Sequence, residues 1–71
     1  MDFGKELKNH RLANNLSLLD LERATGISNQ NLSRWERDIV SPSMDYCIIL
    51  ANFYKISLDE LVGRENFKLK E

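Results

Sequence analysis

The residues of this chain best suited to act on a partner lie in "ATGISNQNLSRWERD", residues 24–38. Three amides stand in a row there, Asn29, Gln30 and Asn31, after Ser28 and ahead of Ser33, Arg34 and Arg37. An amide carries a donor and an acceptor side by side. It can bond an adenine edge at N6 and N7 together, while arginine suits guanine or phosphate. Other chemistry is thinly supplied. His10 and Cys47 are each the single residue of their type, and the carboxylates are scattered. No metal-ligand set or nucleophile–base pair assembles from them, so neither an enzyme nor a cofactor or metal is expected. Asp59 and Glu60 are adjacent carboxylates, but the first turn of a capped helix accounts for them. Gly4, Gly26 and Gly63 are too far apart to cradle a phosphate.

What positions the amide run is a series of five short helices, since the apolar spacing is helical throughout. Phe3 and Leu7 begin the first, which runs to about Asn14. Asparagines in "ANN" then tolerate the left-handed turn that closes it. Ser17 with Asp20 matches a helix-start box. The second helix places Leu18, Leu21 and Ala24 or Thr25 on one side and stops at Gly26. Ser28 caps the third helix, whose inward residues are Leu32 and Trp35. "DIVSPS" is a loop, and Ser43 caps a fourth helix over residues 44–54. Ser57 with Glu60 opens a short fifth helix that ends at Gly63. A helix, a glycine turn of three or four residues and another helix make a helix-turn-helix spacing. In that motif the second helix enters the DNA major groove by its N-terminal end. Its unpaired N–H groups and positive dipole end favour a nearby phosphate.

Seventy-one residues suffice for one small domain. Residues 1–63 are expected to form it, with 64–71 a polar tail or linker stub. A single cysteine excludes an internal disulfide and suits a reducing compartment. No apolar run approaches membrane-spanning length, and the N-terminus lacks a signal-peptide core, so a soluble cytoplasmic domain is expected. Net charge is −1, which is not the strongly basic balance that argues for nucleic acid by itself. The case for DNA therefore rests on local placement.

Individual residues have plainer readings. An amide-rich helix start can be only a solvated surface, and Arg34 and Arg37 can be ordinary surface charges. Trp35 shares the inward side of Leu32 and belongs in the core. Cys47 shares a face with Met44, Leu50, Ala51 and Tyr54 and is expected to be an inert buried thiol. His10 is expected at the surface. The fourth helix carries a second apolar stripe, Tyr46, Ile49 and Phe53. Either the first or fifth helix covers it, or another subunit does. These three residues are the candidate dimer patch.

In order and spacing the chain resembles the lambda-repressor-like, Xre/Cro-type helix-turn-helix family almost without gaps from Phe3 to Gly63. The matching pieces are "LKNHR", "LSLLDLERATGIS", "LSRWER", "SPS" and "ISLDELVG". The resemblance implies an all-α, compact five-helix bundle that binds a palindromic double-stranded operator, usually as a homodimer, and regulates transcription, here as a repressor. By position it puts Asn29, Gln30, Asn31, Ser33 and Arg34 on the base-facing surface and Ser28 at a cap close to phosphate. It matches Arg11 and Glu36 to a buried structural ion pair. Three departures stand out. Leu18 replaces a frequent glutamine that contacts phosphate. Glu22 replaces alanine at a tight site between the two motif helices. Asp38 and "IVS" replace a frequent glycine and basic loop, where a carboxylate opposes the helix dipole and repels phosphate. The near-neutral charge, Leu18 and Asp38 favour an alternative, a protein-interaction module or antitoxin-like partner-binding protein that keeps the fold with weak or no DNA binding; the amide-rich helix start opposes it.

Overall fold

Serine starts four of the five helices in the computed structural model, which describes residues 3–63. The helices are α1 (Phe3–Ala13), α2 (Leu18–Thr25), α3 (Asn29–Glu36), α4 (Met44–Tyr54) and α5 (Leu58–Leu61). Among the described residues there is no strand, and the fold is an all-α bundle. Ser17, Ser28, Ser43 and Ser57 are the N-caps of α2 to α5. Each hydroxyl accepts a backbone N–H that the helix itself leaves without a partner, worth about 1 kcal/mol. At α2 and α5 the bond is reciprocal, because Asp20 and Glu60 reach back to the cap N–H groups. The chain leaves α1 through Asn15 at φ 58° and α4 through Lys55 at φ 60°. Asparagine takes the left-handed conformation readily; lysine does so at some cost.

The core is Leu7, Leu21, Ile27, Leu32, Trp35, Cys47, Leu50, Ala51 and Leu61. Every helix contributes to it, and Ile27 contributes from the turn. Ile27 lies just before the cap of α3 and Leu32 at that helix's fourth position, the arrangement that fixes how a chain enters a helix. Both side chains are buried in the core where α2 gives way to α3.

α1 crosses close to the end of α3. A Cβ on Gly4 would lie 2.4 Å from the Glu36 carbonyl oxygen and 2.6 Å from that of Trp35. Only glycine permits this approach. The Gly4 N–H donates to Asp38 Oδ1 at 3.0 Å. Arg11, one face along α1, donates from Nε to Glu36 Oε2 at 2.7 Å and from Nη2 to Oε1 at 3.0 Å. Its third bond goes to the Leu16 carbonyl at 2.8 Å. Both side chains of the pair are about nine-tenths buried. The hydrogen bonds to Glu36 raise the Arg11 pKa further despite the opposing effect of burial.

Two expectations need correction, and a third point is narrowed. Met44 is 63% exposed and does not join the Cys47 face in the core. His10 is not a free surface residue. Its Nε2 lies 2.9 Å from the Glu60 carbonyl and its ring packs on Tyr54, with centroids 5.7 Å apart. It ties α1 to α5. Within the described residues neither α1 nor α5 closes over the second stripe of α4. Tyr46, Ile49 and Phe53 remain 37%, 40% and 37% exposed, although Tyr46 leans on Trp35 at 4.9 Å. Cys47 is buried, and burial pushes its thiol pKa up, which disfavours the reactive thiolate. No described helix is long and apolar enough to cross a membrane.

Candidate nucleic-acid interface

The start of α3 is held by two oxygen atoms from different sources. Ser28 Oγ accepts the Asn31 N–H at 3.1 Å. Glu22 Oε1, projecting from α2, accepts the Asn29 N–H at 3.0 Å and the Asn29 side-chain Nδ2 at 2.6 Å. Behind them Gly26 makes the turn at φ 80°, and its N–H closes α2 on the Glu22 carbonyl at 2.7 Å. A Cβ at Gly26 would meet nothing within 4 Å. The glycine is needed there for its backbone conformation and not for space. Thr25 Oγ1 accepts the Ile27 N–H and completes the turn.

Side chains on a helix advance by about 100° per residue. Leu32, Trp35 and Glu36 point to the core side of α3. Gln30, Arg34 and Arg37 then fall together on the opposite, outward face, and all three are exposed. Asn31 and Ser33 flank that face and are half-buried. Asn29 falls toward the α2 side, where Glu22 holds it. Ser28 is exposed, and its hydroxyl hydrogen is not used by the cap.

The three amides are therefore not equivalent. Asn29 commits its nitrogen to Glu22. Asn31 accepts a long contact of 3.4 Å from Arg34 Nη1. Gln30 has no side-chain hydrogen bond among the described residues. Its backbone N–H also has no partner among the described residues, whereas those of Asn29 and Asn31 are taken. A carboxylate and a hydroxyl thus take two of the N–H groups at the helix start, leaving fewer for a phosphate than a bare helix end would offer. The Asn29 hydrogen bonds hold the Glu22 carboxyl below its ordinary value, so it is ionised at neutral pH. A fixed negative charge sits at the positive end of the α3 dipole.

Asp38 also differs from its sequence reading. Besides following α3, its carboxylate accepts the Gly4 N–H in the first turn of α1. It does so at φ 59°, a conformation in which glycine would be unstrained. Leu18 packs half-buried against the core and contributes packing in place of a phosphate-directed amide.

Sequence reasoning missed two structural roles here. Glu22 registered as a misfit at a tight site, and its seven-residue spacing to Asn29 across a turn gave no local pattern. Gly4 gave no signal, because the backbone it must approach is over thirty residues away.

The helix-turn-helix family model matches residues 7–61 of the chain. Among curated proteins, the HTH-type transcriptional regulator ImmR of Bacillus subtilis is 34% identical over 70 residues, 99% of this chain and 55% of that protein. The antitoxin PezA of Streptococcus pneumoniae is 32% identical over 62 residues, 87% of this chain and 39% of that protein. The chain thus spans about half the length of these relatives or less.

Proposed function

The chain belongs to the helix-turn-helix family, and from that premise we propose that it is a sequence-specific double-stranded DNA-binding regulator of transcription that acts as a repressor. On this reading α3 enters the major groove, and Gln30 and Arg34 meet base edges. Ser28, Asn29, Asn31, Ser33 and Arg37 contact bases or phosphates around them. The observation that carries it is the outward face of α3. Gln30, Arg34 and Arg37 lie together, exposed, on the side opposite Leu32 and Trp35. The reading includes a homodimer on a palindromic operator with half-sites about 34 Å apart, and a cytoplasmic setting.

Selection of bound duplexes from a random library tests this. An enriched palindrome supports the reading, and no enrichment even at low salt removes it. The same protein should show a shallow dependence of affinity on salt, because few cations flank α3 and few phosphate counterions would be released. A steep slope would contradict that charge argument.

A second reading is a protein-interaction module of antitoxin type. It is favoured by the likeness to PezA, by the Glu22 carboxylate at the head of α3, and by the apolar outer face of α4 at Tyr46, Ile49 and Phe53. Replacing Ile49 and Phe53 with glutamate discriminates the uses of that face. Loss of DNA affinity together with self-association marks a dimer surface; loss of self-association is not expected if the face serves a different partner.

A further inference from the structure

We propose that Glu22 is a positioning residue for base specificity, acting through Asn29 and touching no base itself. The inference rests on the DNA-reading function above and deepens it. A carboxylate can only accept hydrogen bonds, whereas the two ends of an asparagine amide differ. At 2.6 Å from Glu22 Oε1 the Asn29 amide must present nitrogen, because oxygen there would face oxygen without a proton. The Asn29 backbone N–H reaches the same oxygen at 3.0 Å. One carboxylate oxygen therefore grips the residue at two points and forbids the amide from turning over.

Without that grip, the asparagine amide could flip and offer donor and acceptor in either order. Gripped, it offers one order only. One Nδ2 hydrogen is spent on Glu22, and the other, with Oδ1, remains for a partner. An adenine edge requires one acceptor and one donor in a fixed order, N7 and then N6. A fixed amide can satisfy that edge in a single orientation and mismatches its complement. The ionised carboxylate behind the amide adds repulsion toward the acceptor-rich edge of guanine, which presents N7 and O6. Glu22 thereby links a residue of α2, out of the groove, to the preference at the base pair facing Asn29.

The experiment compares base preference, position by position, for wild type, Glu22→Ala, Glu22→Gln, Asn29→Ala and the double alanine variant. Each variant is measured by competitive binding to every single-base variant of the selected duplex. Helical signal and melting temperature are recorded alongside. Glu22→Ala should relax preference at one base pair per half-site by tenfold or more, the same pair that Asn29→Ala relaxes. Once Asn29 is alanine, removing Glu22 should change preference at that pair no further. Glu22→Gln keeps an acceptor oxygen within reach of Asn29 and should retain the preference, while all duplexes bind tighter for the lost charge. Should Glu22→Ala not fold, Glu22→Ser, too short to reach Asn29, takes its place. A folded Glu22→Ala protein with wild-type preference at every position overturns the proposal. So does preference that loosens equally everywhere, which marks a purely structural carboxylate. If wild type itself selects no duplex, the DNA-reading function falls instead, an outcome distinct from either.

Discussion

The two ends of α3 are built on opposite plans. At its C-terminal end, Trp35 and Glu36 are packed against α1 by a glycine that leaves no room for a methyl group, and a bidentate ion pair is closed from water. At its N-terminal end, polar side chains stand at the surface, and the hold on them is one serine hydroxyl and one carboxylate oxygen. A short helix that must present side chains needs one end fixed so that the other can be exposed without losing its direction. Substitutions at the fixed end should therefore cost stability, and substitutions at the presenting end should change binding with little loss of stability.

The largest effects are expected at the fixed end. Arg11→Ala or Glu36→Ala leaves a charge in a site that is about nine-tenths closed. The loss should be about 3–5 kcal/mol, much of the total stability of a domain this small. Replacing both partners with apolar residues of similar size should cost less than either single change, because no charge is orphaned. Gly4→Ala should also destabilise strongly, since the colliding atoms are backbone and cannot swing away. Thermal and denaturant unfolding checks all four proteins; single variants that melt like wild type would break the contrast between the two ends.

At the presenting end the change should appear in discrimination. Gln30 is exposed, and its amide has no side-chain partner among the described residues. Its two bonds to an adenine edge would contribute about 1–3 kcal/mol of discrimination. Gln30→Ala should lower affinity for the selected duplex and relax preference at one base pair per half-site. Affinity for unrelated DNA should hold, because a neutral amide releases no counterions. Melting should stay near wild type. Uniform loss across a panel of single-base duplex variants would mean that Gln30 only positions the backbone.

The difference between the ends also explains what the sequence could disclose. Helix starts are local: Ser17 with Asp20 and Ser57 with Glu60 are three residues apart, and both boxes form. Core positions follow from helical spacing, as at Leu32 and Trp35. Contacts across long stretches of chain leave no such trace. Gly4 against Glu36, Asp38 on the Gly4 N–H, and His10 on the Glu60 carbonyl depend on how helices cross. Asp38 shows the consequence most plainly, because from spacing alone its charge belongs to α3, and in the fold it serves α1. The candidate DNA surface is legible as residue types. The division of labour among its three amides is not, because Glu22 lies on another helix.

Asp38 gives a smaller test of the same contrast. Asp38→Ala loses the cap on Gly4 and keeps a residue with a Cβ at φ 59°. A loss of about 1–2 kcal/mol is expected from the cap. Asp38→Gly loses the cap but relieves the backbone, so its stability should lie between alanine and wild type. On the proposed DNA-reading function, both variants should bind all duplexes somewhat more tightly, since a negative charge just after α3 is removed. Equal stability of the two variants would show that the backbone conformation carries no strain.

The smallest effect expected at neutral pH concerns Tyr54, beside the fixed end. Its hydroxyl is buried without a hydrogen-bond partner among the described residues, and the ring lines a cavity of about 10 Å³ with Leu7, Leu21, Leu32, Glu36 and Leu50. A hydroxyl withdrawn from water without a new bond opposes folding by an amount of order 1 kcal/mol. Tyr54→Phe should therefore be neutral or slightly stabilising, within about 1 kcal/mol of wild type. Raising the pH should enlarge the gap. Burial, with the neighbouring Glu36 charge, pushes the Tyr54 pKa from 10.0 to about 12. A phenol whose folded value is raised stays protonated in the folded state while the unfolded chain already releases its proton. Its ionisation therefore favours unfolding progressively as pH rises from about 10 toward 12. Phenylalanine has nothing to release, so the stability of Tyr54→Phe should fall less steeply than that of wild type over that window. Denaturant unfolding of both proteins at neutral pH and at several alkaline values gives the comparison. Parallel alkaline losses would mean that the Tyr54 hydroxyl is in contact with water, and that the region beside the ion pair is less closed than the contrast between the two ends of α3 requires.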